Sequence, residues 1–248
     1  MTQAQTTASL CGITLHDHDA QFIAQHMSAY AFARAHAIGK RVLEIGFGSG
    51  HGTAYLAEAA QEVIAIDMAP GNIPRACADY PRTNLKFVQM DATHLTFPNE
   101  SFDLVCSFQV IEHIPESLLL KYLSEIFRVL RSSGLFCVST LNLAHNMKPK
   151  RPYEKLIYHE KEFTAPELNA LLKQVFPIVK MYGLHLSRTH RVFHRLKRWG
   201  LERVGPKSLN PVARFYEQAS PKDFVVKRDI SSAAIDLIAL CQKSEGRG

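Results

Sequence analysis

The sequence lacks any apolar run long enough to cross a membrane. Nowhere in its 248 residues do about 18 apolar residues follow one another. The first ten residues contain no Lys or Arg and lead into no apolar stretch of signal-peptide length. These absences predict a cytoplasmic protein that does not span a membrane.

Cysteine is scarce and never paired in sequence. The five cysteines lie far apart, without a C-x-x-C motif, at Cys11, Cys77, Cys106, Cys137 and Cys241. Cys106 and Cys137 fall within strand-like apolar runs, where a small buried thiol fits. The pattern predicts reduced thiols and disfavours disulfides and zinc sites.

Compositional extremes are also missing. Gly (13) and Pro (12) occur at ordinary levels and 46% of the residues are hydrophobic. These values exclude collagen-like, low-complexity and largely disordered chains. Because the length suits one main core, we expect a single domain over residues 1–248.

Charge is distributed unevenly along the chain. The net charge of +6 combines −4 over residues 1–147, +10 over residues 148–230 and zero over residues 231–248. The basic excess therefore belongs to one stretch of the C-terminal half, and it predicts a local anionic partner.

Short apolar runs alternate with helical stretches along most of the chain. Runs that are apolar throughout are typical of a parallel sheet covered on both faces, and the alternation predicts a doubly wound α/β fold. The predicted strands are 41–46, 62–67, 85–90, 102–108, 134–141, 177–186 and 234–241, and the predicted helices include 19–37, 51–60, 70–79 and 116–130.

The chain divides into four predicted parts. Residues 1–40 form a helical leader, and residues 41–186 form a cofactor-binding core in which Thr164 opens a helix as its N-cap. Residues 187–233 are too long for a simple connection, so we expect a basic, mostly helical insertion there. Residues 234–241 are the final strand.

A glycine-rich turn follows the first predicted strand. Gly46, Gly48 and Gly50 allow the backbone to approach a ligand closely. His51 stands where the dinucleotide fingerprint G-x-G-x-x-G requires glycine. Glu44 lies where a buried carboxylate needs a cation, such as a ligand ammonium. The turn predicts a nucleotide-type cofactor with an amino-acid part.

Two further acids follow the next two strands. Asp67 ends the second strand, where a carboxylate can accept both hydroxyls of a ribose, and Asp91 follows the third, where it can accept an adenine amine. Each acid alone is typical of a helix N-cap or a loop. Together with Glu44 they mark the carboxyl edge of the sheet, where open α/β sheets bind ligands.

In these motifs the sequence resembles the class I S-adenosylmethionine-dependent methyltransferases. The likeness rests on Glu44 to Gly50, Asp67, Asp91-Ala92 and the segment FDLVCSFQVIEHI, and it covers about residues 25–173 and the final strand. It implies a sheet order of 3-2-1-4-5-7-6 with an antiparallel strand 7, and S-adenosylmethionine over strands 1, 2 and 4. The cofactor-binding residues that the resemblance implies are Glu44, Gly46, Phe47, Gly48, Gly50, Asp67, Met68, Asp91, Ala92, Phe108 and Gln109.

Two histidines are candidate catalytic bases for a hydroxyl acceptor. His113 lies just past the fourth strand, where an imidazole could take the acceptor's proton near neutral pH. His159 lies in YHEKEFTAPEL, which resembles a segment near the acceptor pocket of small-molecule and sugar methyltransferases. The alternatives are that His113 only orients the acceptor or closes the cofactor pocket, and that His159 is a surface residue before a capped helix.

Some relatives that methylate catechol-type hydroxyls hold a divalent metal with the motif E-x-x-E-H. This sequence has Gln109 in place of the first acid, before Glu112 and His113. Because an amide is a weak Mg²⁺ ligand, we predict that no metal is required.

The basic insertion interleaves cationic and apolar side chains between residues 188 and 203. The pattern is most typical of a solvated helix that packs its apolar side as a lid. Peripheral contact with an anionic membrane surface and a phosphate-bearing acceptor are the alternatives. Nucleic acid is disfavoured, because the sequence has neither N-P-P-Y after the fourth strand nor a Pro-Cys pair.

The sequence thus predicts an S-adenosylmethionine-dependent methyltransferase that acts on an oxygen of a small molecule, sugar or lipid-linked intermediate. An RNA methyltransferase, an NAD-dependent dehydrogenase and a non-catalytic cofactor-binding protein stay open as alternatives. The acceptor itself does not follow from the fold, because one fold serves many substrates.

Overall fold

A computed structural model describes residues 20–147 and 152–243. Cys11 and the first 19 residues of the predicted leader lie outside these ranges. The described residues include eight strands, which are β1 (Arg41–Ile45), β2 (Glu62–Asp67), β3 (Leu85–Gln89), β4 (Phe102–Phe108), β5 (Leu130–Leu141), β6 (Ile178–Leu186), β7 (Phe224–Lys227) and β8 (Asp236–Gln242).

All eight strands form one sheet, in the order β3-β2-β1-β4-β5-β8-β6-β7. β1 to β5 run parallel, and β8 runs antiparallel to both β5 and β6. β6 therefore points the same way as β1 to β5, so its carboxyl end lies at the same edge as theirs. The predicted doubly wound fold and the order of its seven strands are confirmed.

The eighth strand, β7, lies within the predicted insertion 187–233. It pairs antiparallel with Gly183–Leu186 at the edge of the sheet, so the insertion, which is otherwise mostly helical, also contributes a short strand that the sequence did not predict. The strand is only four residues long, too short for its alternation of buried and exposed side chains to distinguish it from a loop.

The start of β5 also differs from the prediction. Gly134 was expected to follow a helix end and to open the strand, but it lies inside β5, which begins at Leu130. The pairing of β4 with β5 shifts register between Phe102 and Leu104, and Ser133 takes the left-handed conformation with φ 61°. A bulge therefore joins the early residues to the strand.

Eight α-helices surround the sheet in the described residues. They are α1 (Ala20–Ala37), α2 (His51–Ala57), α3 (Asn72–Asp79), α4 (Leu119–Val129), α5 (Leu143–Asn146), α6 (Ala165–Lys173), α7 (Arg188–Arg198) and α8 (Pro211–Glu217). The predicted N-cap of α6 is present, since the Glu167 carboxylate accepts hydrogen bonds from the N–H and hydroxyl of Thr164 at 2.9 and 2.6 Å.

The apolar side chains form one core on each face of the sheet. One core contains residues of α4 and α6, and the other contains residues of α1 and α2. This arrangement explains why strands β1 and β4 are buried almost throughout. No helix in the described ranges combines the length and hydropathy needed to cross a membrane.

Candidate active site

The turn from β1 into α2 brings the backbone close to any ligand at the carboxyl edge. Gly46, Gly48 and Gly50 have φ values of 76°, 56° and 83°, and a Cβ atom at Gly46 would overlap the side chain of Val110. The Gly48 N–H donates to Oδ2 of Asp67 at 2.9 Å, which ties the turn to the end of β2. The backbone of the turn is therefore fixed at the carboxyl edge of the sheet, with no side chain from these three glycines between it and a ligand.

Glu44, near the end of β1, is fully buried. The Tyr30 hydroxyl donates to its Oε1 at 2.6 Å, whereas its Oε2 has no hydrogen-bond partner in the described part of the chain. Burial raises the pKa of Glu44 to about 7, and the Tyr30 hydrogen bond opposes that rise. Because an unpartnered buried carboxylate oxygen is costly, Oε2 fits the ammonium of an amino-acid ligand.

Asp67 keeps acceptor capacity for a ligand at the end of β2. Its Oδ2 accepts the Gly48 N–H and its Oδ1 accepts the Ala69 N–H at 2.8 Å. A carboxylate can accept about four hydrogen bonds, which leaves room for two ribose hydroxyls. The neighbouring Met68 side chain is 72% exposed, and a purine ring would cover such a surface.

Asp91 follows β3 at the same edge. Its Oδ1 accepts hydrogen bonds from the N–H and hydroxyl of Thr93 at 2.7 and 2.9 Å, a loop arrangement that an Asp often makes on its own. Both of these hydrogen bonds use Oδ1, and Asp91 is exposed, so its other oxygen, Oδ2, is open to a ligand. The half-buried Ala92 follows it.

Three other predicted cofactor residues shape the pocket through packing and backbone. Phe47 is buried against Phe87, with 4.8 Å between ring centroids, and Phe108 is buried against Tyr30 at 4.6 Å. Gln109 takes the left-handed conformation with φ 55°, while its N–H donates to the Ser139 carbonyl at 2.9 Å. Such strain in a non-glycine residue is frequent at functional sites.

His113 lies in a short 3-10 turn, Ile111–His113, directly after β4. Its Nδ1 is 2.9 Å from the carbonyl oxygen of Tyr158. A carbonyl can only accept, so Nδ1 carries the hydrogen. The neutral ring then presents Nε2 as an acceptor, so Nε2 is the nitrogen that could take a proton from a substrate.

His159 is held by a carboxylate rather than a carbonyl. Its Nδ1 is 2.7 Å from Oε1 of Glu162, and the Tyr153 hydroxyl donates to Oε2 of the same Glu. Burial, reinforced by the nearby His113 and Lys155, lowers the pKa of His159 to about 4. The imidazole is therefore neutral at pH 7, but it is a weak proton acceptor.

The two histidines lie together, as candidate site residues should. Their ring centroids are 4.9 Å apart and the rings meet edge to face. The contact depends on the segment 158–163, because the N–H groups of Glu160 and Lys161 donate to the Glu112 carbonyl at 2.7 and 3.1 Å. Two regions of sequence 45 residues apart thus form one end of the site.

The Glu112 side chain, directly before His113 in the same 3-10 turn, is almost fully buried. Both of its carboxyl oxygens are buried without a partner in the described residues, and burial raises its pKa to about 8.

In the described ranges no three His, Cys, Asp or Glu side chains are grouped to hold a metal ion. Independence of metal remains a prediction.

Sequence reasoning missed the residues that support the site. Tyr30 lies 14 residues before Glu44 on α1, and the Glu162 that holds His159 was not distinguished from Glu160 in the same segment. A Glu three residues after a His was the available signal for Glu162. No sequence signal linked Tyr30 to Glu44.

Comparison with known proteins bears directly on this site. Residues 43–138 match a family model described as a methyltransferase domain. A Mycolicibacterium smegmatis protein named "probable S-adenosylmethionine-dependent methyltransferase" is 34% identical over 170 residues, which cover 68% of this chain and 62% of the relative. A ubiquinone biosynthesis O-methyltransferase of Ruegeria sp. is 33% identical over 42% of each chain. The chain thus spans less than two thirds of the length of these curated relatives.

Solved structures agree with this match at the level of the fold. The N-methyltransferase NodS from Bradyrhizobium japonicum WM9, in complex with S-adenosyl-L-homocysteine, superposes with a TM-score of 0.61 over 98% of both chains at 14% identity. At that identity the likeness shows the fold alone.

Proposed function

The chain carries a class I S-adenosylmethionine-dependent methyltransferase domain, and on that premise we propose that it methylates an oxygen of a small-molecule, sugar or lipid-linked acceptor. Its cofactor is S-adenosylmethionine rather than a nicotinamide dinucleotide, and the cofactor supplies an electrophilic methyl group on a sulfonium sulfur. The O-methyltransferase of Ruegeria, with which the chain shares 33% identity, supports an oxygen acceptor.

The observation that carries the proposal is the hydrogen bond between Nδ1 of His113 and the Tyr158 carbonyl. It fixes the tautomer and leaves Nε2 as an acceptor at the carboxyl edge of the sheet, where the family places its substrates. A hydroxyl must lose its proton as it accepts a methyl group, and His113 is assigned this step. The weakly basic His159 is assigned the orientation of the acceptor.

The remaining site residues bind and position the cofactor in this proposal. Glu44 receives the ammonium through Oε2, Asp67 receives the ribose hydroxyls and Asp91 receives the adenine amine. The chain's main contribution to rate is then positioning and exclusion of water, because the displacement itself loses charge at sulfur. The proposal also includes contact between residues 188–203 and an anionic membrane surface.

Methyl transfer to an unidentified acceptor can be tested with the whole protein. The purified chain is incubated with methyl-tritiated S-adenosylmethionine and either aqueous or organic extracts of the source cells. Treatment of the labelled product with hydriodic acid releases methyl iodide from a methyl ether, and mild base releases methanol only from an ester. Label that survives both treatments would contradict an oxygen acceptor.

The same assay tests the predicted independence of metal. Because Gln109 replaces the acid that metal-using relatives have, turnover is expected to persist in EDTA. Loss of turnover in EDTA, restored by Mg²⁺ or Zn²⁺, would contradict this part of the proposal.

A further inference from the structure

The helix α7 exposes an unusual surface on the side that faces away from the sheet. Residues at spacings of three, four and seven share one face of a helix. This exposed face, which we call the arginine–tryptophan face, consists of Arg188, Arg191, Val192, Arg195, Arg198 and Trp199. Trp199 is 75% exposed and Val192 is 54% exposed.

The opposite face of α7 is fixed by packing. The Phe193 ring stacks on Phe215 of α8 at 4.2 Å between centroids, and the buried His190 ring contacts Phe215, Tyr216 and Phe224. The orientation of the helix is therefore set by its apolar contacts. The apolar side packs as the sequence predicts, but the outward face is both cationic and apolar.

The arginines of this face are not explained by local stabilisation of the helix. Cations in the last turn, such as Arg195 and Arg198, stabilise a helix C-terminus, but Arg188 and Arg191 lie in the first turn, where positive charge is unfavourable. Within the described part of the chain none of the four forms an ion pair with an acid. These four arginines are therefore suited to binding an anionic partner outside the chain.

Exposed apolar side chains continue beyond the helix end. Leu201, Val204 and Leu209 are 39%, 64% and 77% exposed in the turns that follow α7. Tryptophan beside aliphatic side chains and arginines is typical of a surface that lies at a lipid headgroup region. A nucleic acid is a poorer fit to this surface, because proteins bind its phosphates with cations and its bases with aromatic rings, and neither contact uses the three exposed aliphatic side chains.

The topology places the root of this surface at the carboxyl edge of the sheet, where the candidate site also lies. β6 ends at Leu186 on the carboxyl edge, and Leu186 pairs with Phe224. The Ser187 N–H donates to the Asp223 carbonyl at 2.9 Å. The two ends of the segment 187–223 are therefore adjacent, and both lie where β6 ends. The arginine–tryptophan face is therefore carried by a segment that leaves the sheet at its carboxyl edge, the edge that also carries the proposed acceptor site, with β5 and β8 between β6 and β4.

From this placement we infer that residues 188–209 dock the protein on an anionic lipid bilayer, with the arginines on headgroup phosphates and Trp199 at the interface. The surface would bring the site to acceptors held in the membrane, an inference that rests on the proposed function for its purpose. Binding to the bilayer itself needs neither cofactor nor turnover, so it is tested apart from that function.

The chain has a single tryptophan, so its fluorescence reports on Trp199 alone. Vesicles of phosphatidylcholine with about one third phosphatidylglycerol are expected to shift the emission to shorter wavelength and to protect it from acrylamide. Pure phosphatidylcholine vesicles are expected to do neither, and about 1 M NaCl should reverse the effect because it screens the charges.

Charge reversal provides the matched test by vesicle flotation. Arg191→Glu, Arg195→Glu and Arg198→Glu together should lower partition at least about 10-fold. The control is Lys121→Glu, Lys173→Glu and Lys180→Glu, which changes the net charge equally at exposed sites elsewhere and should partition as the unmodified protein does. Unchanged Trp199 emission with anionic vesicles, or equal losses in both triple variants, would overturn the inference. Preference for an RNA oligomer over the vesicles would also overturn it.

Discussion

The Tyr30 hydroxyl donates a 2.6 Å hydrogen bond to Oε1 of Glu44, and both side chains are fully buried. Tyr30 belongs to α1, which precedes the matched methyltransferase domain, whereas Glu44 belongs to β1 within it. The bond leaves Oε2 as the carboxylate oxygen open to a ligand. The helix before the domain is thus part of the proposed cofactor site.

Tyr30→Phe should weaken S-adenosylmethionine binding at pH 7. A hydrogen bond to a charged group contributes about 1.5 to 3 kcal/mol, and its loss also moves the pKa of Glu44 further above about 7, which depletes the carboxylate. We expect affinity to fall roughly 10-fold, and less at pH 8 than at pH 6, in titration calorimetry. Tyr122→Phe is the matched control, since Tyr122 is equally buried but donates to Ser107. Equal losses in both variants would contradict the role of Tyr30.

Gly52→Ala should disturb the same pair from the other side. A Cβ atom at Gly52 would overlap the Tyr30 ring, so overpacking should lower the free energy of unfolding by about 1 to 3 kcal/mol. Urea denaturation measures this change. Gly71→Ala is the control because a Cβ atom there meets nothing within 4 Å. Adding Tyr30→Leu should recover part of the loss, and fully additive effects would contradict the overlap.

The glycine motif shows what sequence can and cannot predict. The positions of Gly46 in a tight turn and of Asp67 at a strand end were predictable, because strand ends and tight turns leave a periodic and compositional signal. The contact of Gly52 with Tyr30 was not, because it depends on where α1 packs. Likewise β7 rests on a tertiary contact that no local pattern encodes. The pairing of His159 with Glu162 is local, because the two residues lie three positions apart, but that spacing alone did not distinguish Glu162 from Glu160.

Asp67→Ala should remove the ribose acceptor and also the Oδ2 that fixes the Gly48 N–H. Charge-assisted hydrogen bonds are strong, so S-adenosylmethionine binding should weaken by roughly 2 to 4 kcal/mol in calorimetry. Asp79→Ala, an exposed acid at the end of α3, should leave affinity unchanged. Unchanged affinity in Asp67→Ala would remove Asp67 from the cofactor site.

Glu112→Gln should make the free energy of unfolding depend less on pH. Burial raises the pKa of Glu112 from 4.5 to about 8 in the folded chain, so folding favours the protonated acid. Its stabilising contribution is complete below pH 4.5 and is lost as pH rises through about 8. Between pH 5.5 and 8.5 the unmodified protein should lose about 2 to 3 kcal/mol more unfolding free energy than the variant. Glu160→Gln, an exposed control, should behave as the unmodified protein in urea denaturation, and parallel profiles for all three would refute the buried acid's role.

Substitutions of His113 and His159 should affect different steady-state kinetic constants. If His113 takes the acceptor proton, His113→Ala should lower kcat roughly 10²- to 10⁴-fold with cofactor affinity unchanged. His159 has its pKa lowered to about 4 and is assigned to orientation, so His159→Ala should mainly raise the acceptor KM. His145→Ala is the matched control, because its Nδ1 also lies 2.9 Å from a carbonyl oxygen, that of Ser232. A kcat loss that moves to His159→Ala would transfer the base to His159, and unchanged kcat in both variants would exclude both of these histidines as the base.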